Sequence, residues 1–406
     1  MTEPPVERPP AVELLHGVPP VTQSPDGLAQ AIAALAGGEG PVAVDAERAS
    51  GFRFSQRAYL VQFHRRGSGT WLLDPIALPD LSGVQEALRD AEWVLHAASQ
   101  DLACLREVGL SPERIFDTEL AGRLLGRERV GLGPLVEAEL GLYLAKGHGA
   151  ADWSTRPLPE AWLAYAALDV EVLLDLRDLL EADLHATGKA SWAAEEFEAV
   201  RLAPPPAPRQ DPWRRTSGIH RLKGRRALAI VQALWEARDD IARQRDISPG
   251  RILPDATIIA AATVAPRTAA DLAAVPEFTR PGAKRYARRW WQAMEAAWAV
   301  AERDLPVSAL PGDGPPPPRA WAERDPEAAA RLAAVRAVMS ACAEEVTMPV
   351  ENLASPEALR RMAWRPPNPV DLDSVRAALE GYGARPWQVD LLAERLVPAL
   401  SATAAS

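Results

Sequence analysis

In Pro41-Val-Ala-Val-Asp45-Ala-Glu47 a short apolar run with the composition of a buried strand ends in two carboxylates. Side chains alternate across a strand, so Asp45 and Glu47 share one face while Ala46 points away. Two anions held side by side repel unless a cation or hydrogen-bond donors lie between them, which makes the pair a candidate ligand set for a hard divalent metal. Asp-x-Glu also describes a solvated strand end. Its meaning therefore depends on whether further carboxylates stand at matching places.

Around this stretch the patterning is that of an α/β segment. A helical pattern covers Asp26–Leu35 and stops at Gly37-Gly38. Strand-like runs follow at Val42–Ala46, Ala58–His64 and Thr70–Leu73. From Leu81 helix and strand alternate: helix Leu81–Arg89, strand Trp93–His96, helix Gln100–Val108, strand Arg114–Phe116, and a helix opened by Asp117-Thr118. That order predicts a mixed sheet flanked by helices. Helical patterns continue over Leu135–Leu140 and, as one long element, Glu160–Leu184.

Prolines divide the chain. Residues 1–20 carry six of them and read as a disordered or extended lead-in, and the runs Pro204–Pro208 and Pro315–Pro318 read as stiff linkers. The implied division is 1–20 lead-in, 21–203 α/β domain, 204–212 linker, 213–300 helical domain, 301–318 linker and 319–400 second helical domain. In the two helical segments Ile247-Ser-Pro-Gly-Arg-Ile-Leu253 recurs as Thr347-Met-Pro-Val-Glu-Asn-Leu353, which suggests an internal duplication.

Composition sets the outer limits. With 406 residues, 48% hydrophobic and 25% charged, the chain is long enough for several globular domains. No apolar run approaches the ~18 residues of a membrane span, so no membrane association and a cytoplasmic location are expected. Cys104 and Cys342 form no paired cluster, which leaves neither a disulfide framework nor a zinc site. A net charge of -10 argues against a simple nucleic-acid coat, yet residues 213–300 are net basic.

Two further acidic sites lie within the α/β segment. Leu95-His-Ala-Ala-Ser-Gln-Asp101 is a strand, a polar turn and an acid at the start of a helix, where the helix dipole favours negative charge. In Tyr165-Ala-Ala-Leu-Asp169 phenol and acid are four apart and hence neighbours on one helix face. Four converging carboxylates stay ionised only with cations between them. Two Mg²⁺ or Mn²⁺ ions ~3.5–4 Å apart would neutralise them and stabilise the attacking and leaving oxygens of a phosphodiester displacement. Tyr165, with a reference pKa near ~10, is expected to orient the attacking water rather than deprotonate it.

Val44-Asp45-Ala-Glu47, His96-Ala-Ala-Ser-Gln-Asp101-Leu and Tyr165-Ala-Ala-Leu-Asp169-Val resemble the three exonuclease motifs of the DEDD superfamily, tyrosine subclass, and in particular the ribonuclease D family. Ala58-Tyr-Leu-Val-Gln62-Phe, Phe116-Asp-Thr-Glu-Leu-Ala121 and Asp152-Trp153-Ser-Thr-Arg156-Pro157-Leu158 are similar to its intervening stretches. The resemblance implies a ribonuclease H-like exonuclease domain with Asp45, Glu47, Asp101 and Asp169 as metal ligands and Tyr165 as the water-positioning residue. Gly218-Ile-His-Arg-Leu222, Trp235-Glu-Ala-Arg238 and Pro249-Gly-Arg-Ile-Leu253 resemble the HRDC module, with the last segment similar to a second, degenerate copy. A helicase is excluded, because no G-x-x-x-x-G-K-[ST] loop occurs.

The function this implies is a 3′-5′ exoribonuclease that trims structured RNAs such as tRNA precursors and releases 5′-mononucleotides. The alternatives are a proofreading-like DNA exonuclease and a non-catalytic RNA-binding scaffold. Arg214, Arg215, Arg221, Lys223, Arg225 and Arg226 are the cations expected to grip phosphates, with Lys146 and Arg156 as candidates beside the last motif. On this reading the middle domain sets affinity and the first domain sets chemistry.

Overall fold

The computed structural model describes residues 9–145, 147–205, 207–308 and 314–402. Its sheet has six strands, β1 (Val21–Thr22), β2 (Glu39–Arg48), β3 (Ala58–Arg66), β4 (Gly69–Leu73), β5 (Trp93–Leu95) and β6 (Ile115–Asp117), in the spatial order β1-β4-β3-β2-β5-β6. β3 runs antiparallel to β2 and β4, and the other neighbours are parallel. The expected mixed sheet is therefore present. Val42, Ala43 and Val44 of β2 are all fully buried, as a central strand covered on both faces must be.

Eight helices accompany the sheet: α1 (Pro25–Gly37), α2 (Ser82–Ala87), α3 (Leu102–Glu107), α4 (Thr118–Leu124), α5 (Leu132–Leu140), α6 (Glu160–Glu171), α7 (Leu173–Ala186) and α8 (Ala190–Leu202). The single helix expected over Glu160–Leu184 is thus two, meeting at Val172. The break follows their packing, since α6 lies against β2, β3 and β4 whereas α7 lies against α4, α5 and β5. Within the stretch expected as a lead-in, residues 9–20 form a strap. The Val12 N–H donates to Tyr143 O (3.0 Å), the Tyr143 N–H donates to Pro10 O (2.7 Å), and the Leu15 N–H donates to Glu171 Oε2 (3.0 Å). Proline holds this chain extended, and extended backbone pairs readily.

The middle segment is helical throughout, with α9 (Arg225–Arg245), α10 (Pro249–Ile252), α11 (Asp255–Val264), α12 (Ala269–Ala274), α13 (Pro281–Arg285) and α14 (Ala287–Ala299) around a core that includes Trp213, Ile230, Leu234, Ile258, Trp290 and Met294. Leu305 belongs to the same core, so packing continues past residue 300. The last segment comprises α15 (Trp321–Arg324), α16 (Pro326–Glu345), α17 (Val350–Leu353), α18 (Pro356–Trp364), α19 (Leu372–Gly381) and α20 (Pro386–Leu400). The two segments share a construction. In each, a helix of about twenty residues ends at a left-handed residue, Asp246 or Thr347 (both φ 48°), and a one-turn helix follows. The next amide then reaches back to the helix, Ile247 N–H to Ala242 O and Met348 N–H to Ala343 O, both at 3.0 Å.

The last segment is not a tethered appendage. Val335, Met339, Trp387, Leu392 and Leu396 belong to one hydrophobic cluster with the core of the α/β domain. Trp387 stacks on Trp192 of α8 at 4.7 Å, and its N–H groups donate to Glu195 and Glu196. No helix among the described residues is long and apolar enough to cross a membrane.

Candidate active site

Each acidic residue is delivered by a different local device. Asp45 and Glu47 stand opposite Gln62 and Leu60 in the β2–β3 ladder, on one face of the central strand. Asp101 follows β5 through a tight turn in which Ala97 is left-handed (φ 58°). The buried Asp117 carboxylate holds that turn, accepting from the Ala97 N–H (3.1 Å) and Ala98 N–H (2.8 Å), and it also caps α4 by accepting from Glu119 and Leu120. Tyr165 and Asp169 lie one turn apart on α6, the helix packed against β2.

These five side chains line one open cavity of about 680 Å³. One carboxylate oxygen from each of Asp45, Glu47 and Asp169 lies within 4.8 Å of the others. Asp101 sits beside this triad with its Oδ1 3.6 Å from Arg48 Nη2. Burial and mutual repulsion raise the proton affinity of the group: Glu47 is pushed up to about 10 by burial and then by Asp45, Asp169 and Asp101. Asp45, Asp101 and Asp169 are raised chiefly by burial. The Tyr165 phenol is raised by burial and by Asp169, to which it donates, so it is protonated at neutral pH. A donor set made of hard carboxylate oxygens, without sulfur or imidazole, fits a divalent cation of the Mg²⁺ class. Gln62 fits as well. It is fully buried opposite Asp45, and neither of its amide atoms has a partner among the described residues.

Several residues of the cavity were not legible as such. Arg48 follows Glu47 directly and is its nearest cation, and Glu119 adds a carboxylate to the cavity wall. His148, outside the cavity lining, meets the Tyr165 ring edge-on at 5.8 Å. His96 is a packed strand-end histidine. Its Nδ1 lies 2.9 Å from Thr118 Oγ1, and burial lowers its pKa to about 4, which keeps it neutral.

The cations expected to hold phosphate fall into two groups. Arg215, Arg221 and Lys223 are exposed. The others have their donors committed within the protein. Arg214 bonds Asp211 and Val307 O, Arg225 bonds Leu305 O and Pro306 O, and Arg226 bonds Ala297 O, Val300 O and Glu302. Arg156 forms a two-toothed pair with Asp74 (2.8 and 2.9 Å) and bonds Tyr59 O (2.7 Å), which makes it a structural residue rather than a phosphate ligand. Lys146 lies outside the described residues. A further basic set occurs at the start of α13 and on α13 and α14, where Arg280, Lys284, Arg285, Arg288 and Arg289 are exposed within ten residues.

Comparison with known proteins agrees with this arrangement. A family model described as a 3′-5′ exonuclease matches residues 20–185, an HRDC domain model matches 227–294, and a model described as a 3′ to 5′ exonuclease C-terminal domain matches 314–400. A ribonuclease D of Gluconacetobacter diazotrophicus is 32% identical over 295 residues, covering 71% of this chain and 72% of the relative. The crystal structure of a protein from Bifidobacterium adolescentis, 39% identical, superposes with a TM-score of 0.88 over 97% of this chain and 100% of that one. Escherichia coli RNase D shares the fold, with a TM-score of 0.66 at 24% identity over 94% of this chain and 98% of that one. Motifs, cavity and relatives converge on one assignment: the chain belongs to the ribonuclease D family of 3′-5′ exoribonucleases, which use divalent metal ions.

Proposed function

We propose that this exoribonuclease trims the 3′ ends of structured cytoplasmic RNAs, tRNA precursors among them, at a site holding two Mg²⁺ or Mn²⁺ ions. The observation that carries the reading is convergence. Asp45, Glu47, Asp101, Tyr165 and Asp169, spread over more than a hundred positions, line one cavity. Asp45, Glu47 and Asp169 would hold one ion, and Asp45 with Asp101 the other. Two such ions would supply the positive charge that hydrolysis of a phosphodiester needs at its attacking and leaving oxygens. Tyr165, protonated and one helical turn from Asp169, would donate toward the attacking water and fix its approach. Arg48 would balance negative charge beside Asp101.

Structured RNA is the substrate class we favour because the E. coli relative of like fold is described as involved in structured RNA processing. We assign the chemistry to residues 21–203, phosphate binding to the exposed Arg215, Arg221 and Lys223 of the domain over 213–300, and a docking role to 319–400. The test is release of 5′-mononucleotides from a 3′-extended tRNA with Mg²⁺, Mn²⁺ or chelator, alongside matched RNA and DNA oligonucleotides. Metal-dependent release from RNA, abolished by Asp45→Asn with RNA binding retained, is the expected result. Equal cleavage of the DNA oligonucleotide would overturn the RNA assignment.

A further inference from the structure

The loop between β2 and β3, residues 49–57, begins one residue after Arg48, and its Ser50 and Gly51 line the cavity. Beyond them the loop is held from outside its own domain. Arg251 Nε donates to Gly51 O (2.9 Å), the Ser248 N–H donates to Phe52 O (2.9 Å), and the Ser55 N–H donates to Asp246 Oδ1 (2.8 Å). The rings follow the same route. The Arg251 guanidinium lies 4.0 Å from the Phe52 ring centroid and that of Arg243 lies 5.7 Å from Phe54, whose side chain packs against the HRDC core. All the gripping groups come from the end of α9, the left-handed Asp246 and α10. On its own side Ser50 Oγ donates to Gln56 Oε1, Gln56 Nε2 donates to Phe54 O, and Phe52 packs against the cluster that contains Ala49 and Trp153. Phe52 and Arg53 N–H close a turn on Ala49 O, and Arg53 Nε reaches Ser154 Oγ.

This loop follows a register shift between Glu47 and Arg48, a bulge after which Arg48 pairs with Ala58 and the β2–β3 ladder ends. An end of strand that carries a cavity carboxylate and Arg48 is therefore fixed by whatever fixes the loop. We propose that the HRDC domain acts on turnover as well as affinity: through Asp246, Ser248 and Arg251 it positions the 49–57 loop and so the Glu47–Arg48 edge of the active site. The proposal rests on the carboxylate cavity being the active site. It departs from the expectation that the middle domain governs affinity alone. A misplacement of about 1 Å at a reacting centre can lower a rate by up to roughly a hundredfold, so a loosened loop is expected to show in kcat.

The test uses the full chain with saturating Mg²⁺ or Mn²⁺ and two substrates, a short unstructured oligoribonucleotide and a 3′-extended structured RNA. Asp246→Ala and Arg251→Ala are expected to lower kcat on the order of tenfold on both substrates, with KM for the short one changed less than about twofold. Asp246→Asn keeps the acceptor oxygen and suits the left-handed backbone, so it restores kcat. Arg251→Lys keeps the charge that a phosphate would need but loses the planar contact with Phe52, so it behaves like Arg251→Ala. Hydrogen exchange of amides 49–57 rises in the alanine variants while that of the α9 interior does not, which separates loop release from loss of the domain. Unchanged kcat on the short substrate, or full recovery with Arg251→Lys, would overturn the proposal and leave the domain as a phosphate binder. Retained turnover in Asp45→Asn would instead overturn the assignment of the site.

Discussion

Replacing Arg156 by Ala separates a structural cation from a phosphate ligand. Asp74, at the end of β4, is 2% exposed, and its two oxygens receive Arg156 Nε and Nη2 at 2.8 and 2.9 Å. Burial works to raise that carboxyl, but Arg156, the Ile76 amide and Gln23 outweigh it and hold the group below the usual carboxylate range. Removing one partner of a buried pair leaves the other uncompensated, at about 3–5 kcal/mol. For an α/β domain of this size that is a fall in Tm of roughly 6–20 °C. The sign of the pH dependence follows from the depressed pKa. The stabilisation is present above ~4, where the unfolded carboxyl ionises, and is lost as pH falls through the lower folded value. The gap between parent and variant therefore narrows on acidification, because a protonated Asp74 no longer needs a cation. Thermal unfolding at pH 7 and at about pH 3, below the unfolded carboxyl's reference value, with RNA binding measured at a permissive temperature, reads both effects. An unchanged Tm together with weaker, less salt-dependent RNA binding would refute the reasoning and return Arg156 to the substrate.

The carboxylate cluster and the basic surface are tested in the same way. Asp169→Asn is expected to abolish turnover yet raise Tm in chelator, since burial and then Asp45 disfavour an ionised Asp169 when no cation is bound; a Tm no higher than the parent's would count against crowding of charge at the site. Divalent metal raises the parent's Tm more than the variant's. Arg225→Ala with Arg226→Ala is expected to destabilise the middle domain by about 1–3 kcal/mol with the salt dependence of RNA binding unchanged, because these guanidiniums bond carbonyls within the domain. Substituting Arg215, Arg221 and Lys223 together leaves Tm unchanged and reduces the salt slope by about 2. The reverse pattern would exchange the two assignments.

That the five candidate site residues would line one cavity was legible because each sits on a local pattern that fixes its direction. Alternation along β2 puts Asp45 and Glu47 on one face, and a helical turn puts Tyr165 beside Asp169. Residues whose roles depend on distant partners were not. Nothing near Arg156 indicates that its carboxylate lies 82 positions earlier, and nothing near Arg225 indicates carbonyls at 305 and 306. Both therefore read as free cations. The proline runs marked real interruptions of helix and strand, but a linker says nothing about docking. It was the burial of Trp387 and Leu392 against the α/β domain that joined the last segment to it. Likewise Val172 carries no breaker, and only the sheet beneath α6 and α7 explains why one apolar pattern became two helices.

Each helical segment meets the α/β domain through the turn that follows its long helix. In the first of these, the turn after α9 offers Asp246 and Ser248 to the loop beside the active site. In the second, the turn after α16 offers the Val346 and Thr347 carbonyls to Lys189, whose ammonium also bonds Leu124 O at 2.7 Å and is only 6% exposed. Gly126 is required at the same joint, because a Cβ there would stand 2.4 Å from Thr347 O. The first joint uses the Asp246 carboxylate, the Arg251 guanidinium and the Ser248 N–H on a loop, whereas the second uses main-chain oxygens on a buried cation. Main-chain acceptors place little demand on side-chain identity, so the second segment can lack the basic residues of the first and still dock. Docking and phosphate binding are then separable properties of such a segment. The last segment shares a core with α7 and α8, and that packing accounts for its docking on the α/β domain.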